Sequence, residues 1–430
     1  MIDTISRLGF HYYPDEQHFT ARDLEDWLPI LGSLGAKWLV LRGSLQRAVP
    51  EDFVRGLLGA GIEPIVHIAS RVEEVGQQNL SSLLSAYAKW GLRYIVILDR
   101  PNQRTAWPSQ DWGRGPVTER FVDVMLPILQ QQHALGLAPI LPPLQPGGDY
   151  WDTAFLEASL RSLLRRGQHA ICQDLVLAGC ACTHGRPLSW GAGGPKAWPG
   201  ARPYSTPAGS EDQLGFHLPE WYAHVAEKVL GRIPHFLDVA GGARLAAASS
   251  VDEKGQHAAA NAEIARAFLD NEVPAFVVNS AFYLLAACPN HTDHASAWFP
   301  TLDAPLPVVD QFRGLIRQRT KTTEPAAAGK PIPHYVLLPM HAFQSSPEKW
   351  RSIASFASAF KPTIGFDPEI AKLAQIVSLA GEEPAIPAQV ERELCAAGCI
   401  VHRVPGIING SLLDTTTTRS EQQPLDPNPI

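Results

Sequence analysis

The sequence predicts a (β/α)₈ barrel followed by a small α/β domain, and three observations carry that prediction. Short β-rich runs alternate with helical stretches at a spacing of about 30 residues, the order expected of parallel strands joined by crossover helices. The alternation repeats eight times before a linker-like segment, which fits a closed ring better than an open sheet. At 430 residues, the chain exceeds one ordinary domain but leaves room for a barrel of about 250 residues and a second unit.

The elements follow in order. Strands are expected at 8–13, 37–42, 63–68, 93–98 and 138–141. Helices are expected at 23–34, 50–60, 80–90 and 117–135, with Pro50 near the start of the second and Gly61, Gly91 and Gly136 ending three of them. The second half reads as a helix at 152–166, a sixth strand at 170–178 and a long loop at 180–213 rich in Gly, Pro and Trp. A loop of that length in a compact domain is expected to be functional or disordered. A helix at 219–230, a strand at 233–239, a helix at 257–270, an eighth strand within 274–285 and a helix at 308–319 complete the ring. The barrel is thus expected over residues 1–320, a linker at 321–332, the small domain at 333–410 and a disordered tail at 411–430. Within the small domain, strands are expected at 335–339, 363–366, 376–379 and 399–404, and helices at 347–360, 368–373 and 387–397.

Composition narrows the function. The balance of 45% hydrophobic and 18% charged residues is that of a globular protein with a sizeable core. Lys and Arg are scattered and the net charge is −7, which argues against a nucleic-acid partner. No apolar stretch is long enough for a membrane span, and no signal peptide opens the chain. The six cysteines suggest no disulfide framework, so a reduced, cytoplasmic setting is expected, with secretion left open for a trimmed N-terminus.

In such a barrel the site lies at the C-terminal ends of the strands. The residues there are His11, Tyr12, Tyr13, Arg42, His67, Asp99, Arg100, Asn102, Asp149, Tyr150, Trp151, Asp174, Trp190, Trp198, Asp238, Asn279 and Trp298. This polar, aromatic and carboxylate-bearing set suits a carbohydrate cleft better than a phosphate cradle or a metal cage. Trp190, Trp198 and Tyr204 are candidate sugar platforms, although loop aromatics also serve to pin a loop. Arg42 could equally be an ion-pair partner of Asp99, and His11 and His67 could be hydrogen-bonded core histidines. Cys180, Cys182 and His184, and separately His291, Asp293 and His294, carry the letters of a metal site without its usual spacing, so no metal and no cofactor are expected.

The segments LGFHYYP, GAKWLVLRG, YIVILDRPN, GGDYWD, RPLSWGAGGPKAWPGARPY and SAWF resemble clan A glycoside hydrolases, the cellulase-like and xylosidase-like retaining enzymes, over residues 8 to 319. The resemblance implies an acid Glu in an Asn-Glu-Pro motif ending the fourth strand and a nucleophilic Glu ending the seventh. This chain departs at both places: Asp99-Arg100-Pro101-Asn102 puts Arg100 at the acid position, and Asp238-Val239-Ala240 puts Ala240 at the nucleophile position. Neither residue can do the chemistry. Two readings follow. In the favoured one, the catalytic carboxylates are degenerate and the barrel binds oligo- or polysaccharide through His11, Tyr13, Arg42, His67, Arg100, Asn102, Tyr150, Trp151, Trp190, Trp198 and Trp298. In the other, Asp99 and Asp238 act as a displaced acid/nucleophile pair in an active retaining glycosidase. Singly, each Asp also reads as a strand-end carboxylate satisfied by a neighbouring Arg or backbone N–H.

Overall fold

The computed structural model describes residues 7–246, 249–323, 330–339, 362–380 and 385–404. The chain divides into two compact units, Met1–Thr320 and Lys321–Ile430.

The first unit is a parallel barrel with eight outer helices. Its named strands are β1 (Gly9–His11), β2 (Trp38–Arg42), β3 (Glu63–Ile68), β4 (Tyr94–Ile97), β5 (Ile140–Leu141), β6 (Val176–Gly179) and β7 (His235–Asp238). All ladders are parallel, running β1-β2-β3-β4 and β5-β6-β7. The helices Ala21–Ser33, Glu51–Gly59, Ser81–Lys89, Val117–Ala134, Asp152–Arg165, Leu218–Leu230, Val251–Leu269 and Pro307–Thr323 alternate with them. Strand alternation sorts the core into two layers. Val40, Ile65, Val96, Ile140, Val176, Ala178, Leu237 and Val239 fill the barrel interior. Leu39, Leu41, Val66, Ile95, Ile97, Leu177 and Phe236 face the helix ring.

Two seams are closed partly by side chains. Between β4 and β5 no ladder forms. There Gln132, wholly buried on helix Val117–Ala134, donates Nε2 to Ile95 O at 2.8 Å and accepts Ile140 N at 3.3 Å. The eighth position is held by residues 276–282, in bridges to β7 and β1 and without a ladder. This differs from the regular strand expected within 274–285. The reason is Asn279: its side-chain amide accepts Asp238 N at 3.0 Å and donates to Asp238 O at 2.8 Å, taking the place of a peptide group in the ladder. Closure onto β1 uses the backbone, with His11 N to Phe282 O and Phe282 N to Gly9 O both at 3.0 Å.

Other boundaries shift for local reasons. Residues 170–174 of the expected sixth strand belong instead to the short helix His169–Asp174, and β6 begins only at Val176. A three-residue apolar run cannot distinguish the two structures by periodicity. Arg232 fixes that helix end by donating Nε to Cys172 O at 3.0 Å. The helix expected from 257 begins at Val251, because Ser250 and Glu253 form a capping box. The first three residues of the expected linker continue helix Pro307–Thr323.

The second unit contains a parallel sheet, ordered β11-β10-β8-β9, from β8 (Ile332–Leu337), β9 (Thr363–Gly365), β10 (Ala374–Ala380) and β11 (Ile400–Val404). Helices Pro368–Ala371 and Ala388–Ala396 connect the later strands. The helix expected at 347–360, residues 324–329 of the linker and the tail lie outside the described residues.

Candidate functional site

Beyond the barrel's aliphatic interior, the inward-facing column of each strand continues into polar residues. His11 lies two positions past Gly9 on β1, Arg42 two past Val40, His67 two past Ile65, Cys180 two past Ala178 and Tyr283 two past Ala281. Together they line the C-terminal mouth. His11 is 5% exposed, its ring packs edge-on to Tyr283 at 5.1 Å, and its Nδ1 has no hydrogen-bond partner among the described residues. Burial pushes the His11 imidazolium well down, helped by His67, Arg42 and Arg244. His67 faces Leu98 O through Nε2 at 3.2 Å and is likewise pushed down, first by burial, with Asp99 opposing and Arg42 assisting. Both rings are therefore neutral at pH 7.

Three guanidiniums converge on this mouth. Arg100 pairs with Asp99 at 3.2 Å. Arg42 donates Nη2 to Ala69 O at 3.0 Å, and Arg244 lies 4.3 Å from the centre of the Tyr283 ring. Among the described residues, no carboxylate reaches ion-pair distance of Arg42 or Arg244. The backbone that delivers Asp99 and Arg100 is strained: Leu98 has φ 79° and Arg100 φ 49°, conformations costly for side-chain-bearing residues. Beside this turn opens a polar cavity of about 280 Å³ lined by Ser70, Arg71, Asp99, Arg100, Gln103 and Gln145.

Asp238, offered by the sequence as half of a displaced catalytic pair, turns away from this constellation. Phe236 packs in the outer layer, and Leu237 and Val239 in the barrel interior, so alternation turns Asp238 away from the barrel axis. Its carboxylate is 3% exposed. Oδ1 accepts Ala181 N at 3.1 Å and Ala240 N at 3.4 Å, and Oδ2 accepts Ala281 N at 3.0 Å. Burial pushes it up to about 7 despite these donors. It ties β7 to the chain beyond β6 and to the closing segment.

The remaining candidates divide. Trp298 is wholly buried against Phe10, Phe282 and Phe312, so it belongs to the core and not to a cleft. Asn102, also wholly buried, clamps a loop: it donates to Gln145 O and Tyr150 O and accepts Gln145 N, each at 2.8 Å. Tyr150 packs against Phe155. Tyr13 stacks on His18 at 3.7 Å. Trp190 donates to Asp212 at 3.0 Å with Arg186 over its ring at 4.0 Å, and Trp198 donates to Ala192 O at 3.0 Å; both pin the 180–213 loop. Trp151 pairs with Tyr204, which is 62% exposed, in a groove that also includes Glu157 and Lys228 of the outer helices. Asp174 precedes β6 and bonds His133, at the opposite end of the barrel from the mouth. Asp149 binds Arg104, and Asp152 is wholly buried among Gly147 N, Gln213 and Tyr222, its carboxyl pushed up to about 6 by burial.

Three mouth residues were not read as such in the sequence: Cys180, Arg244 and Tyr283. Tyr283 sits within the expected eighth strand and could have been found by counting inward positions from Ala281. Arg244 follows β7 on a loop and carries no such signal. Neither Cys180, Cys182 and His184 nor His291, Asp293 and His294 converge as metal ligands among the described residues.

No protein-family profile matches the sequence, and no curated protein matches it. Solved structures align over the barrel at low identity. A family GH39 β-xylosidase from Caulobacter crescentus is 11% identical, with 74% of this chain and 72% of that one covered at a TM-score of 0.49. A family 39 glycoside hydrolase from Bacteroides cellulosilyticus WH2 is 12% identical, with 73% of this chain covered and a TM-score of 0.48. The chain spans 64% of that relative's length. A monomeric β-xylosidase from Caulobacter crescentus CB15 is 10% identical, with coverages of 73% and 68% and a TM-score of 0.45. These are likenesses of shape; no residue role is carried over from them, and the barrel stands on its own strand register.

Proposed function

We propose that the barrel mouth binds carbohydrate, that its ligand is acidic, and that the two-carboxylate hydrolytic machinery is degenerate. The observation that carries the last point is the commitment of Asp238: its oxygens accept three backbone N–H groups and it faces away from the barrel axis. Asp99, the remaining carboxylate of the candidate pair, is held by Arg100. An acidic ligand is favoured because Arg42, Arg100 and Arg244 meet a single mouth carboxylate, and guanidiniums bind carboxylates and sulfates through paired, charge-assisted hydrogen bonds. The polar cavity beside Asp99 supplies hydroxyl partners, and exposed Tyr204 with half-buried Trp151 supplies a stacking surface.

The competing reading, an active retaining glycosidase with Asp99 as acid and Asp238 as nucleophile, needs Asp238 ionised, whereas burial pushes its carboxyl up to about 7. The test is a screen of aryl glycosides and of neutral and uronate-bearing polysaccharides, read for turnover and, by calorimetry, for binding. Binding of acidic glycans without turnover is the expected result. Hydrolysis with a bell-shaped pH profile, abolished by Asp99→Asn or Asp238→Asn in a variant that still folds, would establish the displaced pair instead.

A further inference from the structure

We propose that Asp15, His18 and Cys288 form a binding site for a divalent zinc-type metal ion at the rim of the barrel. Asp15 and His18 lie on the loop between β1 and helix Ala21–Ser33, and Cys288 on the loop after the closing segment, so the fold joins groups 270 or more positions apart. Their ligand atoms all lie within 4.8 Å of one another. Cys288 Sγ stands 3.6 Å from His18 Nε2 and 3.5 Å from Asp15 Oδ2. A tetrahedral ion bonded at about 2.3 Å to sulfur and about 2.0–2.1 Å to nitrogen and oxygen sets the sulfur–nitrogen and sulfur–oxygen edges at about 3.6 Å. The two edges that meet at the sulfur are thus already at the span such an ion sets.

Proton placement points the same way. Asp15 Oδ1 lies 2.8 Å from His18 Nδ1, which fixes the proton on Nδ1 and turns the Nε2 lone pair toward Cys288. The imidazole is held flat against Tyr13, 3.7 Å between ring centres and 9° between planes, so its direction is set before any ion arrives. A nucleophilic Cys–His–Asp relay would use the same contacts, but it needs a thiolate. Here Asp15 Oδ2 faces the sulfur at 3.5 Å, so a thiolate would meet a second negative charge. A dication reverses that penalty by neutralising both groups. One sulfur, one nitrogen and one oxygen make a borderline donor set, suited to zinc and unsuited to calcium or magnesium. His18 and Asp15 are 23% and 24% exposed, which gives an ion access and leaves a fourth position for water or a ligand atom.

The test uses the full chain, stripped with chelator and titrated with cobalt(II), then with zinc. One equivalent of cobalt should give the intense visible bands of a tetrahedral thiolate complex, and zinc should displace it. Cys288→Ser and His18→Ala should each weaken uptake on the order of 100-fold or more, whereas Cys395→Ser should not. Because a variant could fail to fold, alkylation of the wild type provides a second readout: one equivalent of zinc should protect Cys288, identified by peptide mapping. Absence of uptake at tens of micromolar metal, or uptake that survives Cys288→Ser, would overturn the proposal. So would rapid, zinc-indifferent alkylation of Cys288 that depends on His18, which would make the trio a nucleophilic relay.

Discussion

Substitution of Asp238 separates a structural carboxylate from a catalytic one. In Asp238→Ala, the N–H groups of Ala181, Ala240 and Ala281 lose their acceptor in a buried setting. At about 1–3 kcal/mol per unsatisfied donor, the loss should be about 3 kcal/mol or more. Asp238→Asn keeps one acceptor but turns an NH₂ toward a donor, so a loss of about 1–3 kcal/mol is expected. The pH dependence gives a sharper signature. The folded-state value is raised from 3.8 to about 7, so between those limits the folded chain holds a proton that the unfolded chain has released. Wild-type stability should therefore fall as pH rises through this window, by up to roughly 4 kcal/mol in total from this one group, and level off above it. Asp238→Asn removes the titration, so its deficit relative to wild type should shrink from about pH 5 to about pH 8. Urea unfolding followed by Trp fluorescence at several pH values measures both curves. If Asp238→Asn unfolds like wild type at every pH while turnover or binding collapses, the carboxylate serves the ligand and the structural reasoning is wrong.

Further outcomes are expected. A Cβ at Gly241 would lie 2.0 Å from Asp238 Oδ2, so Gly241→Ala should cost about 1–3 kcal/mol and much less in an Asp238→Ala background; additive losses in that cycle would argue against the contact. Gln132→Leu strands Ile95 O and Ile140 N and should cost about 2–4 kcal/mol in urea unfolding; a neutral effect would show that the β4–β5 seam does not need the amide. Arg42→Ala and Arg244→Ala should each weaken binding of a uronate oligosaccharide about 10-fold or more, with neutral sugars little changed and wild-type affinity falling as salt rises; equal losses for neutral and acidic ligands would remove the charge argument. Trp298→Ala should cost about 3–5 kcal/mol of stability, and Trp298→Phe should leave ligand binding unchanged, since the ring lies in the core.

The sequence by itself determined the barrel. Alternating β-rich and helical segments can bury their apolar faces together only in a few right-handed parallel arrangements, and β2, β3 and β4 lie close to where hydrophobic patterning placed them. It also places Arg100 and Ala240, neither of which carries a carboxylate, at the two positions the resemblance marks. What only the tertiary structure decided was direction and company. Asp238, Asn279 and Gln132 read as candidate or unremarkable polar residues, yet each is buried with its polar atoms bonded across a seam between strands. Which side of a strand a residue faces depends on register, and a shift of one position reverses it. That is why the sequence could not show that Asp238 turns from the barrel axis and accepts three backbone N–H groups. Asp15, His18 and Cys288 show the same limit from the other side, since ring closure between β1 and the eighth position is what brings them within ligand distance. Local patterning specifies elements, but contacts between distant positions exist only once those elements have packed.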